Sequence, residues 1–254
     1  MAWNPETYNK FKSERFLPFF DLTKSIIVKP DLKVIDLGCG TGEMAGALAD
    51  LLPGSTVTGI DASAEMLSKA AEFKNEAVNF KQLKIEEQLD LPEKFDLIFS
   101  NAAIQWIENH KDLLPKIISK LNPGGQLHIQ IPAQASNISN QLLDQLADKT
   151  PYNKLLQNWK RDSAVLDIND YSKLLFENGG HQLNVYEKVY PLILENPEAL
   201  FDWVSGTALI PYLAKLPAEQ KEQFIADYKK ELAAAFPVQP VFYPFRRILM
   251  SAIF

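Results

Sequence analysis

Residues 34–42 read Val-Ile-Asp-Leu-Gly-Cys-Gly-Thr-Gly, and Gly59-Ile60-Asp61 follows one helix later. The pattern is an apolar strand (Lys33–Leu37), a glycine-crowded turn, a helix from Gly42 to Leu52, and a second strand (Thr56–Ile60) with an acid at its tip. Such a βαβ unit brings backbone N–H groups close to a nucleoside and offers a carboxylate to ribose hydroxyls. The glycine spacing discriminates between ligands. Dinucleotide turns read Gly-x-Gly-x-x-Gly, whereas Gly38, Gly40 and Gly42 form Gly-x-Gly-x-Gly with Asp36 inside the preceding strand. A carboxylate there attracts a sulfonium or ammonium and repels a pyrophosphate. The ligand this points to is S-adenosylmethionine. Asp36 would hold its ammonium, directly or through water, and Asp61 its ribose. The alternative is that Asp61 caps the next helix and the glycines serve packing alone, which leaves two acids and three glycines in one unit without a ligand.

Outward from this unit, strand and helix alternate. A helix near Ser63–Phe73 precedes a strand over Asn79–Leu83, and Phe95–Ser100 is an apolar run suited to burial on both faces. Helix Lys111–Leu121 stops at the Asn122-Pro123-Gly124-Gly125 turn, and Gln126–Ile131 is the fifth strand. Beyond residue 132 the texture changes. Gln134–Asn158 is polar and helical, Asn169–Asn178 is a helix stopped by two glycines, and Leu183–Val189 is a strand. Pro197–Phe236 is helical and aromatic-rich, before a last strand over Arg247–Ile253. Asn4-Pro5 opens an amphipathic helical stretch towards Ile27. The expectation is one α/β domain with a mostly parallel, Rossmann-like sheet of seven strands. Helical cap elements would lie at about 1–28, 133–165 and 196–240, near one end of the sheet.

Composition narrows the function. Net charge is −6, and the arginines are four: Arg15, Arg161, Arg246 and Arg247. That argues against a phosphate-backbone partner, which binds through clustered cations. No apolar run reaches the roughly 18 residues of a membrane span, and no signal-peptide pattern opens the chain. Cys39 is the single cysteine, a small residue fitting the turn, which suits a reducing cytoplasm. His110, His128 and His181 are too dispersed for a metal site; His128 reads as structural and His110 as a lesser candidate for the site.

Val34–Gly42, Gly59–Asp61, and Phe95–Asn101 with Gln105-Trp106 together resemble class I S-adenosylmethionine-dependent methyltransferases. Trp3-Asn4-Pro5 with Tyr8, Glu14-Arg15, Gln130-Ile131-Pro132 and Trp203-Val204-x-x-Thr207-x-Leu209-x-Pro211 resemble the trans-aconitate 2-methyltransferase family. Ser100–Trp106 is also similar to the malonyl-carrier-protein methyltransferases of biotin synthesis. Both relatives methylate carboxylates. The resemblance implies cofactor contacts from Ala62, Met66, Ile85 and Asn101 beside Asp36, Asp61 and the three glycines. It implies a substrate site from Trp3, Tyr8, Arg15, Gln105, Trp106, Trp203 and Arg247, with Trp106, Arg15 and Arg247 positioning the acceptor; Tyr212 is a further aromatic lid candidate. Two positions depart from the pattern. Lys84 stands where an aspartate usually accepts the adenine amino group, so recognition falls to the Ile85 backbone with Glu86 or Glu87. Ile210 replaces an arginine, removing one cation for a polyanionic substrate.

Asn101-Ala102-Ala103-Ile104 lacks the prolines and aromatic residue that stack and polarise acceptor nitrogens, which disfavours nitrogen acceptors of that kind; a carboxylate oxygen as acceptor is what the resemblance implies. A carboxylic acid is already ionised at pH 7, so no catalytic base or metal is required. The expected partner is a small carboxylate, with a carrier-protein-bound acid as the alternative. A non-catalytic cofactor-binding regulator and a nicotinamide oxidoreductase are readings of other classes. Arg161, in the polar insertion, is expected to be solvated.

Overall fold

The computed structural model describes residues 12–161 and 163–254, with side chains from Phe16 onward. Trp3, Tyr8 and the side chain of Arg15 therefore lie outside the described residues. The chain divides into two compact units. One holds residues 17–132, 164–188 and 247–254, and the other includes 133–163 and 189–246.

The sheet has seven strands: β1 (Lys33–Leu37), β2 (Thr56–Asp61), β3 (Val78–Gln82), β4 (Phe95–Asn101), β5 (Leu121–Pro132), β6 (His181–Leu194) and β7 (Val241–Ile253). Their order is β3-β2-β1-β4-β5-β7-β6. The first five pair in parallel, while β7 runs antiparallel to β5 from Gln126↔Ile253 to Pro132↔Arg247. The centre is apolar on both faces: Val34, Ile35, Leu97, Ile98, Phe99, Leu127 and Ile129 are all buried. Placing β1 between β2 and β4 brings the carboxyl ends of these strands side by side, the usual position of a ligand crevice in such a sheet.

Several elements differ from expectation. Leu121 pairs with Phe95 but Gln126 pairs with Leu97, so Asn122–Gly125 bulges out of one continuous strand instead of separating helix from strand. A short helix over Ile85–Asp90 went unforeseen; its first turn is acidic, and the Glu87 carboxylate accepts the Lys84 N–H at 3.1 Å. Both β6 and β7 are longer than their sequence signals. Alternation continues through Tyr190, Leu192 and Leu194, and through Val241 and Tyr243, all buried. Pro191 is tolerated in β6 because that strand is the sheet's edge.

The helical unit is built from Ile138–Asp148, Tyr152–Leu155, Pro197–Ser205, Ile210–Lys215 and Ala218–Ala235. Asn196 caps the third of these by accepting the Ala199 N–H at 2.9 Å, with Pro197 in the first turn. Leu143, Leu200, Leu209, Phe224 and Leu232 form its core with tyrosines whose hydroxyls are bonded. Tyr152 donates to Asp227 at 2.6 Å, Tyr212 to Asp144 at 2.5 Å and Tyr228 to the Ser139 carbonyl at 3.1 Å. Arg161 is not solvated as the sequence suggested. It is half-buried, because the polar segment carrying it folds back onto this core.

Candidate functional site

The turn after β1 is pinned by its neighbour strand. The N–H groups of Gly38 and Cys39 both donate to the Ile60 carbonyl at 2.9 Å. Gly38 and Gly42 have φ of +79° and +77°, and a Cβ at Gly38 would stand 2.2 Å from that of Ala103. At Gly42 it would meet Phe80 at 2.6 Å and Ala70 at 2.7 Å. Packing thus demands both glycines independently of any ligand. Gly40 is different: an added Cβ would touch only the Met66 methyl, at 3.7 Å.

Asp61, at the tip of β2, accepts the Gly40 N–H at 3.0 Å on one carboxylate oxygen and the Ser63 N–H at 2.8 Å on the other. It therefore organises the turn, while each oxygen retains a second lone pair for a ribose hydroxyl. The helix cap is Ser63, not Asp61: the Ser63 hydroxyl accepts the Met66 N–H. Asp36 lies inside β1, 2% exposed and paired in register with Gly59 and Phe99. Burial, and then the charge of Asp61, raise its pKa to about 7. A desolvated carboxylate with no compensating cation among the described residues fits an ammonium or sulfonium ligand and would be made worse by a phosphate. Cys39 is buried, and desolvation together with both acids pushes its thiol up, so it is inert as a nucleophile.

Adenine has fewer handles. Ile85 is buried beside the Gly38 turn, its Cδ1 4.0 Å from where a Gly38 Cβ would lie. Glu87 is engaged with the Lys84 backbone, which leaves Glu86 and the Ile85 backbone as the polar groups suited to the base.

The carboxyl ends of β4 and β5 form the second half. Asn101 pairs in register with Gln130, and the Ala102 N–H donates to the Gln130 carbonyl at 2.8 Å. Ala102 is held at φ +56°, a sparsely populated conformation for a residue with a Cβ. Its carbonyl accepts the Gln105 side-chain amide at 2.7 Å. Asn101 donates to the Met44 sulfur, Gln130 is fully buried, and Arg247 is 6% exposed with Nη1 donating to Gln130 Oε1 at 2.9 Å. In this cluster Asn101 Oδ1, Gln105 Oε1 and Gln130 Nε2 are buried with no hydrogen bond. Each such group costs about 1–3 kcal/mol, so their concentration at the ends of two adjacent strands marks a place built for a polar ligand.

Gln130, which the sequence offers only within the Gln130-Ile131-Pro132 motif, joins this cluster. Trp106 is more than half exposed, at 54%, on the turn of helix that carries Gln105. Trp203 is 7% exposed and packs edge-on against Phe245 within its unit's core. His110 is structural. Its Nε2 donates to the Ile104 carbonyl and its Nδ1 accepts the Tyr171 hydroxyl, and burial lowers its pKa. His128, buried beside Ser25 and depressed to about 4 by desolvation, is neutral scaffold. Among the described residues no group of three or more metal-ligating side chains occurs, and no helix is long and apolar enough to cross a membrane.

A methyltransferase-domain family model matches residues 28–187. A trans-aconitate 2-methyltransferase of Deinococcus radiodurans is 39% identical, over 99% of this chain and 98% of that protein. Another, of Paracidovorax citrulli, is 35% identical over 93% of this chain and 91% of its own length. Among solved structures, the YcgJ protein of Bacillus subtilis matches with a TM-score of 0.60 at 18% identity, covering 93% of this chain and 97% of that one. That last likeness is one of fold.

Proposed function

The chain belongs to the methyltransferase-domain family and, within it, to the trans-aconitate 2-methyltransferase family, and from this premise we propose that it methylates a carboxylate of a small polycarboxylic acid such as trans-aconitate. The methyl donor is S-adenosylmethionine, which when bound supplies an electrophilic sulfonium methyl. On this reading Asp61 accepts the ribose hydroxyls, Asp36 faces the ammonium, and the Gly38–Gly42 turn lets the ligand lie against backbone.

The observation that supports a carboxylate acceptor is the buried Gln130–Arg247 pair. Arg247 Nη1 fixes the orientation of the Gln130 amide, so Gln130 presents its unbonded Nε2 as a donor. A guanidinium and an amide N–H suit a carboxylate oxygen and offer nothing to an ammonium. The acid is already ionised near neutrality, so the residues' task is alignment and exclusion of water. Correct placement of two reactants is worth about 7–11 kcal/mol of barrier in favourable cases. Exclusion of water matters because carboxylate and sulfonium lose charge together during transfer, and hydration favours the separated charges.

The test is transfer of tritiated methyl from the donor to a panel of organic acids, with the product exposed to mild base. The expected product is a base-labile methyl ester. A base-resistant methyl group, or donor binding with no turnover on any acid, would overturn the acceptor assignment and leave the regulator reading standing.

A further inference from the structure

The carboxyl ends of β4 and β5 hold a polar atom that no carboxylate can satisfy. Gln105 is 6% exposed, and its side-chain amide N–H donates to the Ala102 carbonyl at 2.7 Å. That carbonyl only accepts, and exchanging the two ends of the amide would set oxygen against oxygen, so the orientation is fixed. Its Oε1 is buried with no hydrogen bond. An amide oxygen carries lone pairs and no proton, so the partner it lacks is an O–H or N–H group.

Two amide oxygens are left in this way, and their ties differ. Asn101 donates its amide to the sulfur of Met44 at 3.1 Å, and Met44 lies on the helix Glu43–Leu51 that follows the glycine turn. Its oxygen goes with the methyl donor. Gln105 is tied instead to Ala102, whose own N–H donates to the Gln130 carbonyl at 2.8 Å. Ala102, at φ +56°, therefore joins an oxygen that needs a proton donor to Gln130, whose unbonded Nε2 suits a carboxylate.

We propose that the methyl acceptor is a hydroxy acid, its hydroxyl donating to Gln105 Oε1 and its carboxylate accepting from Gln130 Nε2. The proposal rests on the acid-methylation reading and names the kind of acid. A hydroxyl suits better than an ammonium, because the Arg247 guanidinium already bonds Gln130 and would repel a second cation. An amide oxygen takes no proton near neutrality, so the hydroxyl is held but not ionised, and the methyl group still passes to the carboxylate. An acid without the hydroxyl leaves Oε1 buried and unpaired, which is how one missing O–H becomes discrimination.

The test compares acids on related skeletons: citrate and isocitrate, which carry a hydroxyl, and propane-1,2,3-tricarboxylate, which does not. At about pH 8 their carboxyls are ionised, so no protonated carboxyl stands in for the hydroxyl. In tritiated-methyl transfer by the full chain, the better hydroxy acid should exceed the tricarboxylate by about tenfold or more in kcat/KM. Gln105→Met should bring that ratio to within about twofold of unity, whereas Gln130→Met should slow all three acids and leave it unchanged. Each ratio is taken within one variant, so partial loss of folded protein cancels. S-adenosylhomocysteine affinity should be the same in Gln105→Met as in the parent chain. A fall would give Oε1 to the methyl donor and overturn the proposal, as would a ratio near unity in the parent chain or one unmoved by Gln105→Met. Calorimetric titration of the S-adenosylhomocysteine complex with the same acids reads the preference without turnover, so the two readings fail separately. Hydroxy acids preferred but never esterified sink the reaction and keep the hydroxyl contact; all three acids esterified equally well sink the contact and keep the reaction. No acid bound and none esterified sinks both.

Discussion

The two halves of the sheet's carboxyl edge are built in opposite ways. In the turn between β1 and the tip of β2 the polar groups are committed: Asp61 holds two backbone N–H groups and the Ile60 carbonyl takes two more, Asp36 inside β1 being the exception. Around β4 and β5 they are withheld, with unbonded atoms on Asn101, Gln105 and Gln130. A preorganised turn suits a donor common to a whole family. The unbonded Gln130 N–H suits a carboxylate oxygen, whereas the unbonded carbonyl oxygens of Asn101 and Gln105 suit only a donor group of a ligand. The first half should therefore break through folding and cofactor affinity, the second through substrate KM.

The largest effect is expected at Gly38. Alanine there combines a positive φ with a 2.2 Å clash against Ala103, and should cost about 3 kcal/mol in urea unfolding and abolish donor binding. Gly124→Ala is the control: φ is also positive, at +77°, but nothing lies within 4 Å of the added methyl, so the loss should be about 1 kcal/mol. Next is Asp61→Ala, which removes a charge-assisted acceptor and the organiser of the turn, and should weaken S-adenosylhomocysteine binding by about 30-fold in calorimetry. On the other half, Gln130→Met keeps the volume and removes the unbonded amide. Acceptor KM should rise by about tenfold while donor affinity stays unchanged, and stability should fall by about 1–3 kcal/mol because the buried Arg247 guanidinium loses its Gln130 acceptor.

The smallest effect is on pH. The Asp36 carboxyl, pushed up to about 7 by burial and then by the Asp61 charge, keeps in the folded chain a proton that the unfolded chain has lost above about 4. Asp36 therefore subtracts stability as pH rises from about 4 to 7. The charged form is the one that holds a cation, so donor affinity should fall about fivefold from pH 7 to pH 6, with proton release on binding. Asp36→Asn should flatten both profiles.

The contrast also explains what could be read from the chain itself. The βαβ unit was legible because its requirements are local. Apolar runs, glycine spacing and an acid at a strand tip all fall within thirty residues, and β4 declared itself by an unbroken apolar run. Gln130 was not legible as a site residue, because strand alternation predicts that it is buried and cannot predict that its amide lacks a partner. Arg161 was misjudged for a related reason. Its neighbours are polar, and only the tertiary fold lays that segment back onto the helical core. The Ile85–Asp90 helix escaped notice because six residues carry less than two turns of periodicity.

The most direct test is a crystal structure with S-adenosylhomocysteine and trans-aconitate bound together. The account predicts ribose hydroxyls on Asp61 and an acid carboxylate within roughly 3 Å of Gln130 Nε2 and the Arg247 guanidinium. A complex in which the acid sits elsewhere, with the Gln130 amide still unbonded, would contradict it.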